Sequence, residues 1–262
     1  MSYEALILDI RDHIATLTLN RPDAYNAVNV QMAGECLDAI TQVDEDPTVR
    51  CVVITGTGKA FCAGGDVKGF HDHLPEIGTH LKQLTHLLHG AVSRIARMPK
   101  PVIAAVNGLV AGGGMGLLLA CDLAYAVETA TLSMAYTRIG ANPDGGSTFW
   151  LPRLVGVRRA LELIYTNRVL NAREALAWGL LNGVMAPERF PDEVYAVARQ
   201  LAQGPTLAYA RAKKLCLTSL NETLETQMEN EARDIADGGK TEDFREGIAA
   251  FIQKRTAAFQ GR

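Results

Sequence analysis

Apolar and polar residues alternate through "YEALILDI" and again through "HIATLTLN", with Arg11 and Asp12 joining the two runs. Period-two alternation predicts a pair of strands folded as a hairpin, each with one face towards a core. The alternation breaks at "RPDAYNAVN", where Asn29 is placed to cap a helix with Met32, Cys36, Leu37 and Ile40 on its apolar side. "CVVITG" is short, continuous and β-branched, the pattern of a buried strand, and the glycine-containing loop "TGKAFCAGGD" follows it.

Ile77, Leu81, Leu84, Leu88, Val92 and Ile95 then recur at intervals of three and four, which predicts a long helix ended by Pro99 and Pro101. "PVIAAVNG" reads as another buried strand, and "AGGGMGLLLACD" as a glycine turn opening into a helix. "LAYAV" and "ATLSMA" are further short strands. From about residue 147 the pattern is mostly helical, with Asn171, Pro191, Pro205, Asn221 and Thr241 marking starts. This order predicts one α/β core with a helical C-terminal appendage. No internal repeat, low-complexity stretch or Pro/Ser linker divides the chain.

The 262 residues, 48% hydrophobic and 21% charged, suffice for one large globular domain or a domain with a smaller appendage. A net charge of -3 exerts no general pull on nucleic acid or anionic membrane, so neither is an expected partner. No apolar run reaches the ~18 residues of a membrane span. The first residues lack the basic start and apolar core of a signal peptide. The five cysteines show no C-x-x-C pair, which fits reduced thiols and a cytoplasmic setting.

Two glycine clusters invite a phosphate reading and fail it. "GTGKAF" lacks the spacer and the Ser/Thr of a P-loop, and "GLVAGGGMG" does not fit G-x-G-x-x-G. Each instead follows a buried strand, where unpaired backbone N–H groups point outwards. Two such groups aimed at one point form an oxyanion hole. Close backbone packing at strand ends is the simpler alternative, and spacing alone favours it. "PDGG", residues 143 to 146, has turn composition and equally suits holding the Asp144 carboxylate at a pocket mouth.

Five of the six histidines fall at 71, 73, 80, 86 and 89, without the Cys or carboxylate spacing of a metal site, so surface histidines are expected and no metal. His89 lies off the centre of the apolar stripe and can face a pocket as an acid or base. Tyr136 either donates a hydrogen bond to Asp144 or to substrate, or is a core tyrosine. Cys62 reads as a small buried residue. Phe149 and Trp150 either pack or line a pocket.

"GKAFCAGGDVK", "KPVIAAVNGLVAGGGMGLLLACDLAYA" and "WGLLNGV" together resemble the crotonase, or enoyl-CoA hydratase/isomerase, superfamily. "LNRPDAYNAVN" and "FREGIAAFIQKR" agree, and the likeness covers nearly the whole chain. It implies an α/β spiral of ββα units over residues 1–200, carrying a CoA-thioester site. It also implies a helical C-terminal region over 201–262 that forms a homotrimer or a dimer of trimers. No cofactor is implied, since coenzyme A is part of the substrate.

By motif position the resemblance puts oxyanion N–H groups on Gly65 and Gly113. Tyr25, Ala27, Ala63, Gly64, Asp66, Val67, Lys68, Gly112 and Tyr136 are implied to contact substrate, and Phe251 and Lys254 to reach CoA from a neighbouring subunit. Arg21, Lys59 and Lys68 are candidates for the CoA phosphates or ordinary solvated charges. The two glutamates of a family hydratase fall here on Gly116 and Tyr136, and both are missing. "IGANPDGGSTFWLPRLVG" resembles the branch of isomerases with a single catalytic acid, here Asp144.

The expectation is an enoyl-CoA isomerase. An enoyl-CoA hydratase and a 4-halobenzoyl-CoA dehalogenase or thioester hydrolase using Asp144 and His89 are the alternatives. In the dehalogenase branch a Trp stands where this chain has Tyr136. A CoA-thioester-binding protein without activity is the non-enzymatic alternative.

Overall fold

The computed structural model describes residues 3–262. The chain opens with a hairpin, β1 (Leu6–Arg11) and β2 (Ile14–Leu19), paired antiparallel from Leu6↔Leu19 to Arg11↔Ile14. Asp12 and His13 both take positive φ at the turn, which suits the right-handed twist of the two strands. Helix α1 (Val30–Glu45) follows, and the Asn29 side chain accepts the Met32 N–H at 2.9 Å as its cap.

Strand β3 (Cys51–Gly56) turns into the short β4 (Ala60–Cys62). Helices α2 (Val67–Asp72) and α3 (Ile77–Arg97) come next. The pattern repeats as β5 (Val102–Val106), β6 (Leu109–Ala111) and α4 (Gly113–Ala120). It repeats again as β7 (Leu123–Val127), β8 (Thr131–Ser133), α5 (Ser147–Val155) and α6 (Val157–Thr166). Strand β9 (Leu170–Asn171), α7 (Ala172–Ala177) and β10 (Gly183–Met185) complete the sheets. Helix α8 (Phe190–Ala202) packs on β2, β3 and β7, and α9 (Thr206–Ser219), α10 (Leu224–Gly238) and α11 (Glu242–Gln253) end the chain.

The opening hairpin lies wholly in the larger of two sheets, and each later turn of the chain leaves one strand in each. The larger sheet runs β1-β2-β3-β5-β7-β10 and the smaller β4-β6-β8-β9. The architecture is therefore the α/β spiral of ββα units. Val52, Val53 and Ile54 pair in parallel with Val102, Ile103 and Ala104, and all six side chains are buried. Every residue of α4 is buried, which explains why "GGMGLLLA" shows no polar face.

Sequence patterning misses the short strands. β4 and β6 lie inside stretches that read as glycine loops, because three residues are too few to display a period. β9 and β10 lie in the part that reads as helical. Asn221 does not start a helix: α10 begins at Leu224, and the Thr223 hydroxyl caps it by accepting the Thr226 N–H. Thr241 and Asn171 do cap their helices.

Candidate active site

The smaller sheet brings the two glycine clusters together. Cys62 of β4 pairs with Val110 of β6, and Gly65 and Gly113 each lie three residues beyond that pair. Gly64 has φ +100, and a methyl group on it would sit 3.0 Å from the Ala111 carbonyl and 3.2 Å from the Gly113 nitrogen. The two loops therefore meet backbone to backbone, as glycine allows. Gly113 opens α4, so its N–H has no partner within the helix. Among the described residues, neither the Gly65 nor the Gly113 N–H donates to another backbone group.

The segment after β2 fixes the first of these loops. Val28 donates to the Gly64 carbonyl at 2.7 Å and accepts from the Asp66 N–H at 3.0 Å, and Ala63 donates to the Tyr25 carbonyl at 3.0 Å. Fully buried Asn26 ties the segment down. It accepts the Arg21 N–H at 2.9 Å and donates to the carbonyls of Thr57 at 2.9 Å and Ala60 at 2.7 Å. Sequence reasoning singled out Tyr25 and Ala27 on either side of Asn26, not Asn26 itself. Its one signal is a residue tolerant of left-handed backbone, and it does take positive φ.

Arg21, a candidate for phosphate, is already engaged with Asp66 at 2.9 Å. Asp66 also accepts the Gly69 N–H at 3.2 Å, capping α2. Its carboxyl is held below the usual range: burial acts against ionisation, but Arg21 and the backbone N–H groups outweigh it. Asp66 is thus occupied in shaping the loop. Tyr25, Lys59, Val67 and Lys68 are exposed nearby along the chain, and Ala27 is buried.

A cavity of about 390 Å³ opens beside the glycines, lined by Gly65, Gly112, Gly113, Phe70, Tyr136 and Asp144 among others. Among its described lining residues Asp144 is the only carboxylate and Arg138 the only cation. The remaining wall is largely apolar, with Leu81, Leu84 and Leu88 from α3.

Three contacts hold the Asp144 loop. The Tyr136 phenol donates to Asp144 Oδ1 at 2.5 Å. The Gly145 N–H donates to His89 Nε2 at 3.1 Å, which places the neutral ring's own proton on Nδ1. The Ser147 N–H donates to the Asp144 carbonyl at 3.0 Å, at the start of α5. Asp144 Oδ2 stands 3.7 Å from His89 Nε2. Burial foremost, and then the charge of Asp144, push the Tyr136 phenol well above its ordinary value, so it remains a donor.

Other candidates lie elsewhere. Phe149 and Trp150 stack edge to face at 4.7 Å, with the Arg153 guanidinium 3.6 Å over the Phe149 ring; neither lines this cavity. Cys62 is fully buried and burial pushes its thiol up to about 12, which suits packing and not attack. His73 and His80 stack on each other at 4.2 Å, and His71 and His86 are exposed. Among the described residues, no three His, Cys, Asp or Glu side chains group to hold a metal. Phe251 and Lys254 are exposed at the end of α11 and do not line this chain's own cavity. No described helix is long and apolar enough to cross a membrane.

Residues 9–262 match the enoyl-CoA hydratase/isomerase family. The chain is 35% identical to 1,2-epoxyphenylacetyl-CoA isomerase of Escherichia coli (strain K12), over 99% of each chain. It is 38% identical to 4-chlorobenzoyl coenzyme A dehalogenase-2 of an Arthrobacter species, over 93% of this chain and 88% of the other. The crystal structure of an enoyl-CoA hydratase from Polaromonas sp. JS666 superposes with a TM-score of 0.94 at 32% identity, covering 98% of this chain and all of the other. The protein belongs to the enoyl-CoA hydratase/isomerase, or crotonase, family of enzymes.

Proposed function

We propose that the protein is an enoyl-CoA isomerase that moves a double bond by carrying a proton on Asp144. One observation carries this reading: among the described residues, Asp144 is the only carboxylate lining the cavity next to the two glycine N–H groups that bond no other backbone group. Isomerisation needs one acid–base group, which takes a proton from one carbon and returns it to another. Hydration by a positioned pair of carboxylates needs two, and Gly116 and Tyr136 supply neither.

In this mechanism the thioester carbonyl oxygen accepts the N–H groups of Gly65 and Gly113. Negative charge gathers on that oxygen as the proton leaves, and each well-aimed donor contributes roughly 2.7–4 kcal/mol to stabilising it. The Tyr136 phenol occupies Asp144 Oδ1, leaving Oδ2 to carry the proton. Neutral His89 positions the loop through the Gly145 N–H. Coenzyme A enters along the surface of Tyr25, Ala63, Val67 and Lys68, with Lys59 and Lys68 free to meet phosphates, since Arg21 is engaged by Asp66.

A homotrimer or dimer of trimers is part of this reading. Leu224, Met228, Ile235, Ile248, Phe251 and Ile252 expose apolar surface on the last helices, and a neighbouring copy would bring Phe251 and Lys254 to CoA. Five free cysteines support a cytoplasmic setting.

The test is double-bond migration on a panel of enoyl- and dienoyl-CoA thioesters by wild type and Asp144→Asn. A fall of at least about 100-fold in kcat with KM held is expected, the scale of a lost general base. Unchanged turnover in the variant overturns the reading. A second reading, nucleophilic displacement on an aryl thioester, draws on the 3.7 Å approach of His89 to Asp144. A covalent aryl ester on Asp144 after single turnover with 4-chlorobenzoyl-CoA would establish it. Tight CoA-thioester binding with no turnover of any kind would instead mark a binding protein.

A further inference from the structure

We infer that residues 256–262 form a latch that fixes α11 to the core through Arg50, which makes Arg50 and Asp243 positioning residues for substrate binding. The inference rests on the reading in which Phe251 and Lys254, at the far end of α11, reach coenzyme A on a neighbouring copy.

Helix α11 has little apolar burial to hold it. Only Asp243 and Ala250 are buried among its 12 residues, and α10 buries none. Helices in proteins owe most of their stability to a packed apolar face, so within one chain something else must set the place of α11. Lys254 ends the helix with φ +55 and turns the chain back. Residues 256–262 then return along α11, outside any helix or strand.

The Ala258 N–H donates to Glu246 at 2.8 Å, and the N–H groups of Gln260 and Gly261 donate to the two oxygens of Asp243 at 2.6 and 2.8 Å. The Asp243 N–H in turn donates to the Arg262 carbonyl at 2.9 Å. Later positions meet earlier ones, so the segment runs antiparallel to the helix. A methyl group on Gly247 would lie 3.4 Å from the Phe259 ring, which therefore rests against the helix backbone.

Arg50 joins this segment to the core. It directly precedes β3, and its own N–H donates to the His13 carbonyl at 2.8 Å. Its guanidinium donates from Nη1 to the Phe259 carbonyl at 3.1 Å, from Nη2 to the Gly204 carbonyl at 2.5 Å and from Nε to the Thr206 hydroxyl at 2.9 Å. A rigid fork of five donors suits such a junction. Gly261 passes so close that a methyl group on it would sit 3.2 Å from Arg50 Nε. Asp144 and the glycine loops lie in the core, away from the latch. Its loss therefore weakens binding of coenzyme A and spares the chemistry.

The experiment compares wild type with Arg50→Gln, Asp243→Asn and a chain ending at Arg255. It reads hydrogen exchange of the α11 amides against those of α3, with kcat and KM for double-bond migration in 3-hexenoyl-CoA. In each variant α11 exchanges about tenfold faster while α3 is unchanged, the scale of one lost hydrogen bond. KM rises about tenfold and kcat stays within about twofold. In the shortened chain Arg50→Gln adds nothing to α11 exchange, because its partner Phe259 is gone.

Unchanged exchange in α11 overturns the inference, and so does equal acceleration in α3, which marks a generally loosened fold. Faster exchange with KM unmoved refutes the positioning role. If the shortened chain is insoluble, Asp243→Asn decides in its place, since it keeps the side chain's size and loses one acceptor. Should no thioester be turned over, the isomerase reading fails, and calorimetric binding of hexanoyl-CoA still judges the latch. A Kd about tenfold weaker in Arg50→Gln supports it, and an equal Kd refutes it.

Discussion

Tyr136 and Asp144 form a short, partly buried hydrogen bond of 2.5 Å, phenol to carboxylate, between residues eight positions apart on one loop. One oxygen of the candidate acid is thereby fixed, and the other stands 3.7 Å from His89 Nε2, a residue that does not itself line the cavity. The tyrosine thus stands where the resemblance places a missing glutamate, and there it orients a carboxylate supplied by a neighbouring turn.

The same bond predicts a signature in stability. Burial first, and then the negative charge of Asp144, hold the Tyr136 proton in the folded state. Its folded value lies above the unfolded one, so the stabilisation is complete below about pH 10, the ordinary phenol value. It declines as pH rises from there towards the folded value, because only the unfolded chain releases the proton. Melting temperatures measured between about pH 9 and 11 should fall more steeply for wild type than for Tyr136→Phe. Parallel curves would show that the bond contributes no such linkage.

Asn26 is expected to matter more for the fold than exposed neighbours such as Tyr25, Val67 and Lys68. Asn26→Ala removes four hydrogen bonds and strands the Arg21 N–H and the Thr57 carbonyl, while the Ala60 carbonyl keeps Asn107 as a donor. Each abandoned buried group costs about 1–3 kcal/mol, and left-handed backbone at alanine adds about 1 kcal/mol. A loss on the order of 3 kcal/mol or more is expected, read as a drop of roughly 6–12 °C in melting temperature. A drop under about 2 °C would mean that the segment finds other partners.

Lys213 ties α9 to the core. Its ammonium donates to the Ile95 and Lys100 carbonyls at 3.0 and 3.3 Å and to Asp122 at 2.9 Å. Asp122 also accepts the Val102 N–H, and burial nonetheless raises its carboxyl above the ordinary range. Lys213→Met strands that carboxylate, at a cost of up to about 3 kcal/mol near neutral pH. Because a raised carboxyl is stabilising when protonated, the cost shrinks on acidification. Denaturant midpoints at about pH 7 and pH 5 test this, and Asp122→Asn in the same background should recover much of the loss.

Legibility of the fold follows the length of each element. The hairpin, the cap at Asn29 and the long α3 carry several residues of period and read directly from the chain. β4 and β6 do not, yet their pairing at Cys62 and Val110 is what brings the two glycine clusters into contact. Motif alone singles out Gly65, Gly113 and Asp144, which line one cavity, while a hydrogen bond from Tyr136 to Asp144 is only one of two readings the sequence allows. The bond from Arg50 to the Phe259 carbonyl spans 209 positions and ends on a backbone oxygen, so no pattern of residue types could display it.

The pairing of β4 with β6 also sets a length. Neighbouring strands lie about 4.8 Å apart in the hydrogen-bonding direction. Two N–H donors that far apart can share a single oxygen at about 2.9 Å from each, approached at close to the tetrahedral angle. In the proposed chemistry a spacing of that order lets Gly65 and Gly113, each three residues beyond the Cys62–Val110 pair, hold the enolate oxygen between them.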